Sequence, residues 1–224
     1  MTVRTHDHSQ PSTPLAGDDD VSTGAGSDSV SVARGADVVR GGADVDRLSS
    51  TSPEAGTRLL GGSGKDRFFL DGTSSTTFLG QSGNDHFQVS LTGGAATPTL
   101  DGGTGRDRLT LYTSGRLKFD LFRVDLVRGR MDADGKRIAR LLGTERVSLF
   151  AKAKKAVFVG GPRADWFESS ARSVRARGGR GNDRLTGGSG ADVLDGGPGR
   201  DVLNGSFGRD RCLRGERLRS CERR

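Results

Sequence analysis

Aspartate recurs in this chain behind glycine-rich segments at a fixed place. Asp28, Asp37, Asp46, Asp66, Asp85, Asp107, Asp165, Asp183, Asp192, Asp201 and Asp210 each occupy the sixth place of a nine-residue block. The blocks GGRGNDRLT, GGSGADVLD, GGPGRDVLN and GSFGRDRCL follow one another without a gap over 178–213, and the same frame fits 23–49, 61–69, 80–88, 102–110 and 160–168. A carboxylate beside a glycine-rich turn brings hard oxygen donors together with backbone carbonyls. That set suits Ca²⁺, which takes roughly six to eight oxygens in flexible geometry, better than Mg²⁺, which demands a stricter octahedron and keeps its water. The same pattern also serves a metal-free turn, because aspartate readily hydrogen-bonds the local backbone. Block 169–177 (SSARSVRAR) carries Val174 where the aspartate belongs, and block 41–49 carries Asp44 in place of the fourth-place glycine, so weaker sites are expected there.

The elements that must hold these carboxylates are visible in the eighth place. It is filled by Val30, Val39, Leu48, Phe68, Phe87, Leu109, Phe167, Leu185, Leu194, Leu203 and Cys212, whereas the ninth is apolar only at Phe69 and Leu213. In a strand, successive side chains face opposite ways, so a short strand over places seven to nine buries its middle residue and exposes its neighbours. Glycines at the first, second and fourth places, as at Gly178, Gly179 and Gly181, permit the positive φ angles and close backbone approach of a tight turn.

With these residues in tandem, the chain resembles the glycine-rich nonapeptide repeats of RTX, or haemolysin-type, calcium-binding proteins. The resemblance implies an all-β fold, a parallel β-roll (a β-solenoid of nonapeptide repeats) in which the first six residues of a repeat turn and bind Ca²⁺, the last three form a strand, and two repeats complete a coil. Turns 18 residues apart then stack, so that Asp165, Asp183 and Asp201 form one ladder, and Asp192 and Asp210 another. Carbonyls of Gly179, Gly181, Gly188, Gly190, Gly197 and Gly199 stand beside these carboxylates as further candidate ligands. Bare carboxylates about 5 Å apart repel by roughly 3 kcal/mol at an effective dielectric of 20, so a bound cation should be coupled to folding. Arg106, Arg108, Arg184, Arg200, Arg209 and Arg211 flank the ladder and are expected to neutralise it in part.

Five segments follow: a disordered polar leader at 1–22, N-terminal repeats at 23–110, a β spacer continuing the solenoid at 111–159, C-terminal repeats at 160–213 and a basic cap at 214–224. Between Asp46, Asp66, Asp85 and Asp107 the spacing exceeds 18, which predicts loops between coils and a ladder broken in the middle. Cys212 fills an eighth place and Cys221 comes nine residues later, where a further repeat would put its inward residue. A disulfide between them would close the end of the roll; two separate buried thiols are the alternative.

Composition narrows the function. The 224 residues include 36 Gly, only 32% apolar residues and 5% aromatic, too thin a core for an ordinary α/β enzyme, and no apolar run long enough to span a membrane. No G-x-S-x-G, P-loop or G-x-G-x-x-G is present, so no enzymatic activity is expected. Two cysteines and three histidines are too few for zinc or iron–sulfur chemistry, and His6 and His8 read as part of a solvated tail. The net charge of +7 leaves an anionic surface or polysaccharide as a possible partner besides calcium, with nucleic acid disfavoured. Residues 1–16 do not read as a secretory signal, yet the repeats point to an extracellular or cell-surface location. The competing reading is a basic solenoid that binds a polyanion largely independently of calcium.

Overall fold

A period of nine with one apolar residue per block can bury its side chains only if the strands coil around a shared interior. A computed structural model describes residues 2–4, 11–12, 17–51, 56–71, 75–92, 97–113 and 117–222 and shows such coiling: a parallel β-solenoid with no helix among the described residues. No helix there is long and apolar enough to cross a membrane. The chain divides into two units, 1–110 with 139–144, and 111–138 with 145–224.

In the first unit one sheet stacks Thr2–Arg4, Asp20–Ala25, Val38–Ala43, Arg58–Gly64, Thr77–Gly83 and Thr99–Asp101, and Thr99 and Leu100 then pair with Arg140 and Leu141. The other sheet stacks Pro11–Ser12, Ser29–Val32, Arg47–Ser50, Arg67–Asp71, His86–Leu91 and Asp107–Thr113. Val30, Leu48, Phe68 and Phe87 are in register across this sheet and buried, and Phe68 stacks on Phe87 at 4.9 Å. The stretch read as a polar leader therefore already contributes strand Asp20–Ala25 and the buried Asp19, while 5–10 and 13–16, with His6 and His8, lie outside the described residues.

The second unit departs from the expected spacer. Phe119–Asp125 pairs in parallel with Ala153–Val159, as a solenoid requires, but its other neighbour is the antiparallel strand Arg130–Ala133, with Val124 opposite Met131. Asp134 and Gly135 follow, both at positive φ, and turn the chain into Lys136–Leu142. The stretch 111–159 is thus not uniform solenoid, because a two-residue Asp-Gly turn closes a hairpin and a parallel crossover needs a longer connection. Beyond it the stacking resumes, Ala153–Val159 to Ser173–Arg177, Val193–Asp195 and Arg211–Leu213 on one sheet, and Trp166–Ser169 to Arg184–Thr186, Val202–Asn204 and Arg217–Arg219 on the other.

The last coil is short. Leu203 pairs with Leu218, fifteen residues on, so Leu218 holds the inward register that the nine-residue period assigned to Cys221. Cys221 lies beyond that strand and still reaches Cys212, the two joined by a disulfide with Cα atoms 5.8 Å apart. The bond ties the terminal segment to the final full repeat instead of bridging facing strands. Replacing both cysteines by serine is expected to lower stability by about 2.5 kcal/mol on the chain-entropy estimate for so short a loop, read as a shift in the urea midpoint; no shift would show that Leu218 alone holds the terminal coil.

Candidate metal-binding turns

Places six and eight share the inward parity of the strand, and every sixth-place aspartate is buried. Each carboxylate reaches along the stack. In the first unit the backbone N–H of Asp28 donates to Asp46 Oδ1 at 2.9 Å, Asp46 to Asp66 at 2.9 Å, Asp66 to Asp85 at 2.8 Å and Asp85 to Asp107 at 2.7 Å. This corrects the expectation of a broken ladder. The strands stay in register, Arg47 with Arg67 and Arg67 with His86, so spacings above 18 do not interrupt the pairing.

On the opposite side of this unit Asp19 N–H donates to Asp37 Oδ1, and the buried Thr57 and Thr76 then continue the backbone register without a carboxylate. In the second unit the chain of bonds runs from Asp165 to Asp183 and Asp201 at 2.8 Å each, and from Val174 to Asp192 and Asp210 at 2.6 and 2.9 Å. The carboxyl of Glu216 takes the next position by accepting the Asp201 N–H. Sequence reasoning missed Glu216 because the short final coil moves it out of the nine-residue frame.

The second carboxylate oxygen divides the sites. At Asp28, Asp46, Asp66, Asp85, Asp183, Asp201 and Asp210, Oδ2 is buried and receives no hydrogen bond from a described residue. At Asp165 and Asp192 it accepts the N–H of the second-place glycine, Gly161 at 2.6 Å and Gly188 at 2.7 Å. The difference follows the backbone. The second-place residue has positive φ where the oxygen is left over, as at Gly42, Gly62, Gln81, Gly179, Gly197 and Ser206, but not at Gly161 or Gly188. Asp165 and Asp192 are also the first aspartates of their stacks, each following a coil without a nonapeptide turn.

Oδ2 faces the first-place glycine. A Cβ on Gly41, Gly61 or Gly178 would lie 2.1–2.2 Å from the Oδ2 of Asp46, Asp66 or Asp183, and 2.6–2.7 Å from the first-place carbonyl of the next coil at Gly41 and Gly178. The carbonyls of Gly179, Gly181 and Gly190 point along the stack, against Gly197, Gly199 and Gly208. Every donor in these turns is oxygen. No three His, Cys, Asp or Glu side chains converge among the described residues, so a cation here would draw most of its ligands from carbonyls and water. The donor chemistry and the left-over buried oxygen fit a hard cation such as Ca²⁺.

Burial pushes the carboxyls up, to about 6 at Asp46, Asp183 and Asp192 and about 7 at Asp85 and Asp165. Backbone N–H donors oppose the rise and neighbouring carboxylates add to it. Asp66, Asp201 and Asp210 are raised for the same first reason. Arg163 opposes the rise at Asp165. Places five and seven have outward parity, and no ion pair among the described residues joins Arg106, Arg184, Arg200, Arg209 or Arg211 to a sixth-place aspartate. Arg209 approaches Glu222 instead, at 4.0 Å.

Gln81 and Ser206 hold the left-handed second place with side chains, at φ 73° and 74°. Ser206→Gly is expected to raise the urea midpoint by the equivalent of about 1 kcal/mol, the strain of a non-glycine residue there. An unchanged or lower midpoint would mean that the Ser206 side chain offsets its backbone cost.

The fold and the turns define a parallel β-solenoid of nonapeptide repeats with stacked carboxylate turns. The RTX calcium-binding nonapeptide repeat matches residues 15–48 and 177–212, in four copies, and over these segments the chain is an RTX-repeat β-roll. No curated protein is matched by the chain.

Proposed function

We propose that this protein is a non-enzymatic structural or interaction module that binds Ca²⁺ through its β-roll turns and acts outside the cell, with binding coupled to folding. The observation that carries this reading is the buried Oδ2 of Asp28, Asp46, Asp66, Asp85, Asp183, Asp201 and Asp210, which no described hydrogen-bond donor satisfies. An ionised carboxylate without compensation in the interior is costly, and a cation held by these oxygens removes the cost. By the same reasoning Asp192, whose oxygens both accept N–H bonds, closes a turn that needs no metal, and Asp165, whose Oδ2 accepts the Gly161 N–H, has less need of one. Location outside the cell is supported by the Cys212–Cys221 disulfide, since such bonds persist in oxidising compartments.

The test is far-UV circular dichroism of the chain, titrated with CaCl₂ from chelating buffer, with MgCl₂ in parallel. A Ca²⁺-specific gain of β signal supports the reading. Full β signal in chelator that Ca²⁺ leaves unchanged, in spectrum and in thermal midpoint, refutes it.

A further inference from the structure

The outward face of one sheet in the second unit carries an ordered row of cations. Arg123, Val157, Arg175, Val193 and Arg211 are register partners on five successive strands, so arginine and valine alternate along the stack. Every second strand places the guanidinium bases about 9.6 Å apart, twice the strand spacing of about 4.8 Å. Arg175 and Arg211 are exposed and Arg123 is half-buried. None of the three forms an ion pair or a side-chain hydrogen bond with a described residue. Beside the row, Lys155 is exposed and equally without a carboxylate partner, while the two acids next to the row are occupied, Asp132, the register partner of Arg123, by Arg130 and Asp195 by Arg214. Lys155, Val157, Ser173, Arg175, Ala191 and Val193 line a cleft of about 370 Å³ on this face.

We infer that this face binds a linear acidic polysaccharide, with carboxylates of the glycan on Arg123, Arg175 and Arg211 and its sugar rings over Val157 and Val193. Adjacent like charges on neighbouring strands are unfavourable, and alternation with valine avoids them. The spacing slightly exceeds the Debye length of about 8 Å at physiological salt, so the row burdens the fold little and stays open to an anion. A uronic-acid glycan with one carboxylate per disaccharide presents charges at a comparable interval on a stiff, extended chain. Duplex DNA curves its phosphates away from a straight row, and the row contains no aromatic side chain to stack the bases of a single strand. The inference is independent of the calcium reading, because the row lies on strands and not in the turns.

The test measures binding of hyaluronan oligosaccharides to the full chain in calcium-containing buffer, against uncharged dextran and single-stranded DNA. Hyaluronan should bind, dextran should not, and affinity should fall with added salt. Arg175→Ser combined with Arg211→Ser should weaken binding by roughly tenfold or more as charge-assisted contacts are lost. Arg200→Ser combined with Arg209→Ser removes the same charge from the turns and should leave binding unchanged. Circular dichroism confirms that both variants remain folded. Absence of hyaluronan binding, tighter binding of DNA, or equal losses in the two variants would overturn the inference.

Discussion

Gly199→Ala unfolds the C-terminal repeats or costs more than about 4 kcal/mol, the range reserved for backbone strain and steric conflict that cannot relax. A Cβ at this fourth place would lie 1.6 Å from the carbonyl oxygen of Gly181 in the coil before, with φ at +147°. The obstacle is backbone, not a side-chain end that could swing aside, and Gly181 is itself fixed by its N–H bond to the Pro198 carbonyl at 3.1 Å. Gly135→Ala is the control. That glycine also has positive φ, +80°, but nothing lies within 4 Å of the added Cβ, so only the left-handed penalty of about 1 kcal/mol applies. Urea denaturation of the two variants in calcium buffer checks the contrast. Equal, small losses would show that successive turns can separate, and that coil-to-coil backbone contact is not what fixes their spacing.

The second large effect is a reversal of pH dependence by calcium. In chelator, stability should fall as pH rises from about 4 to about 7. Burial raises the carboxyl pKa of Asp46 and Asp183 to about 6 and of Asp85 to about 7, from 3.8. Across that window the folded chain holds protons that the unfolded chain has released, so each step upward in pH favours unfolding. With Ca²⁺ present the sign inverts, because a metal ligand must be deprotonated and rising pH then strengthens binding to the folded state. Urea midpoints at several pH values within the window, in chelator and in CaCl₂, give the two slopes. Parallel slopes would show that these carboxyls do not hold the cation. In CaCl₂ Asp183→Asn should flatten the slope more than Asp192→Asn does, since Asp192 Oδ2 already has the Gly188 N–H, whereas in chelator the two should act alike, both carboxyls being raised to about 6.

Much of this was legible in the sequence. The eighth-place residues Val39, Leu48, Phe68, Leu109, Phe167, Leu185 and Leu203 are all buried, because a two-residue alternation leaves a short strand one inward side chain and the period repeats it. The stacking of Asp165, Asp183 and Asp201 followed from the same arithmetic. Where the period fails, inference along the chain fails with it. Asp19 sits outside the recognisable blocks, Glu216 falls in a coil three residues short, and Cys221 takes a place that its spacing from Cys212 did not predict.

Sequence by itself determined the period, the inward and outward faces, and the identity of the sixth-place carboxylates, since each depends only on residue type and spacing. Tertiary structure alone decided which oxygens are left over. Asp183 and Asp192 lie in blocks of nearly the same pattern, GGRGNDRLT and GGSGADVLD, yet Gly179 has positive φ and leaves Asp183 Oδ2 without a donor, whereas Gly188 turns its N–H onto Asp192. The physical reason is that the conformation of a turn depends on the coil against which it packs. The turn of Asp183 stacks on another nonapeptide, that of Asp192 on the segment 169–177, which has none, and no reading of a block in isolation contains that neighbour.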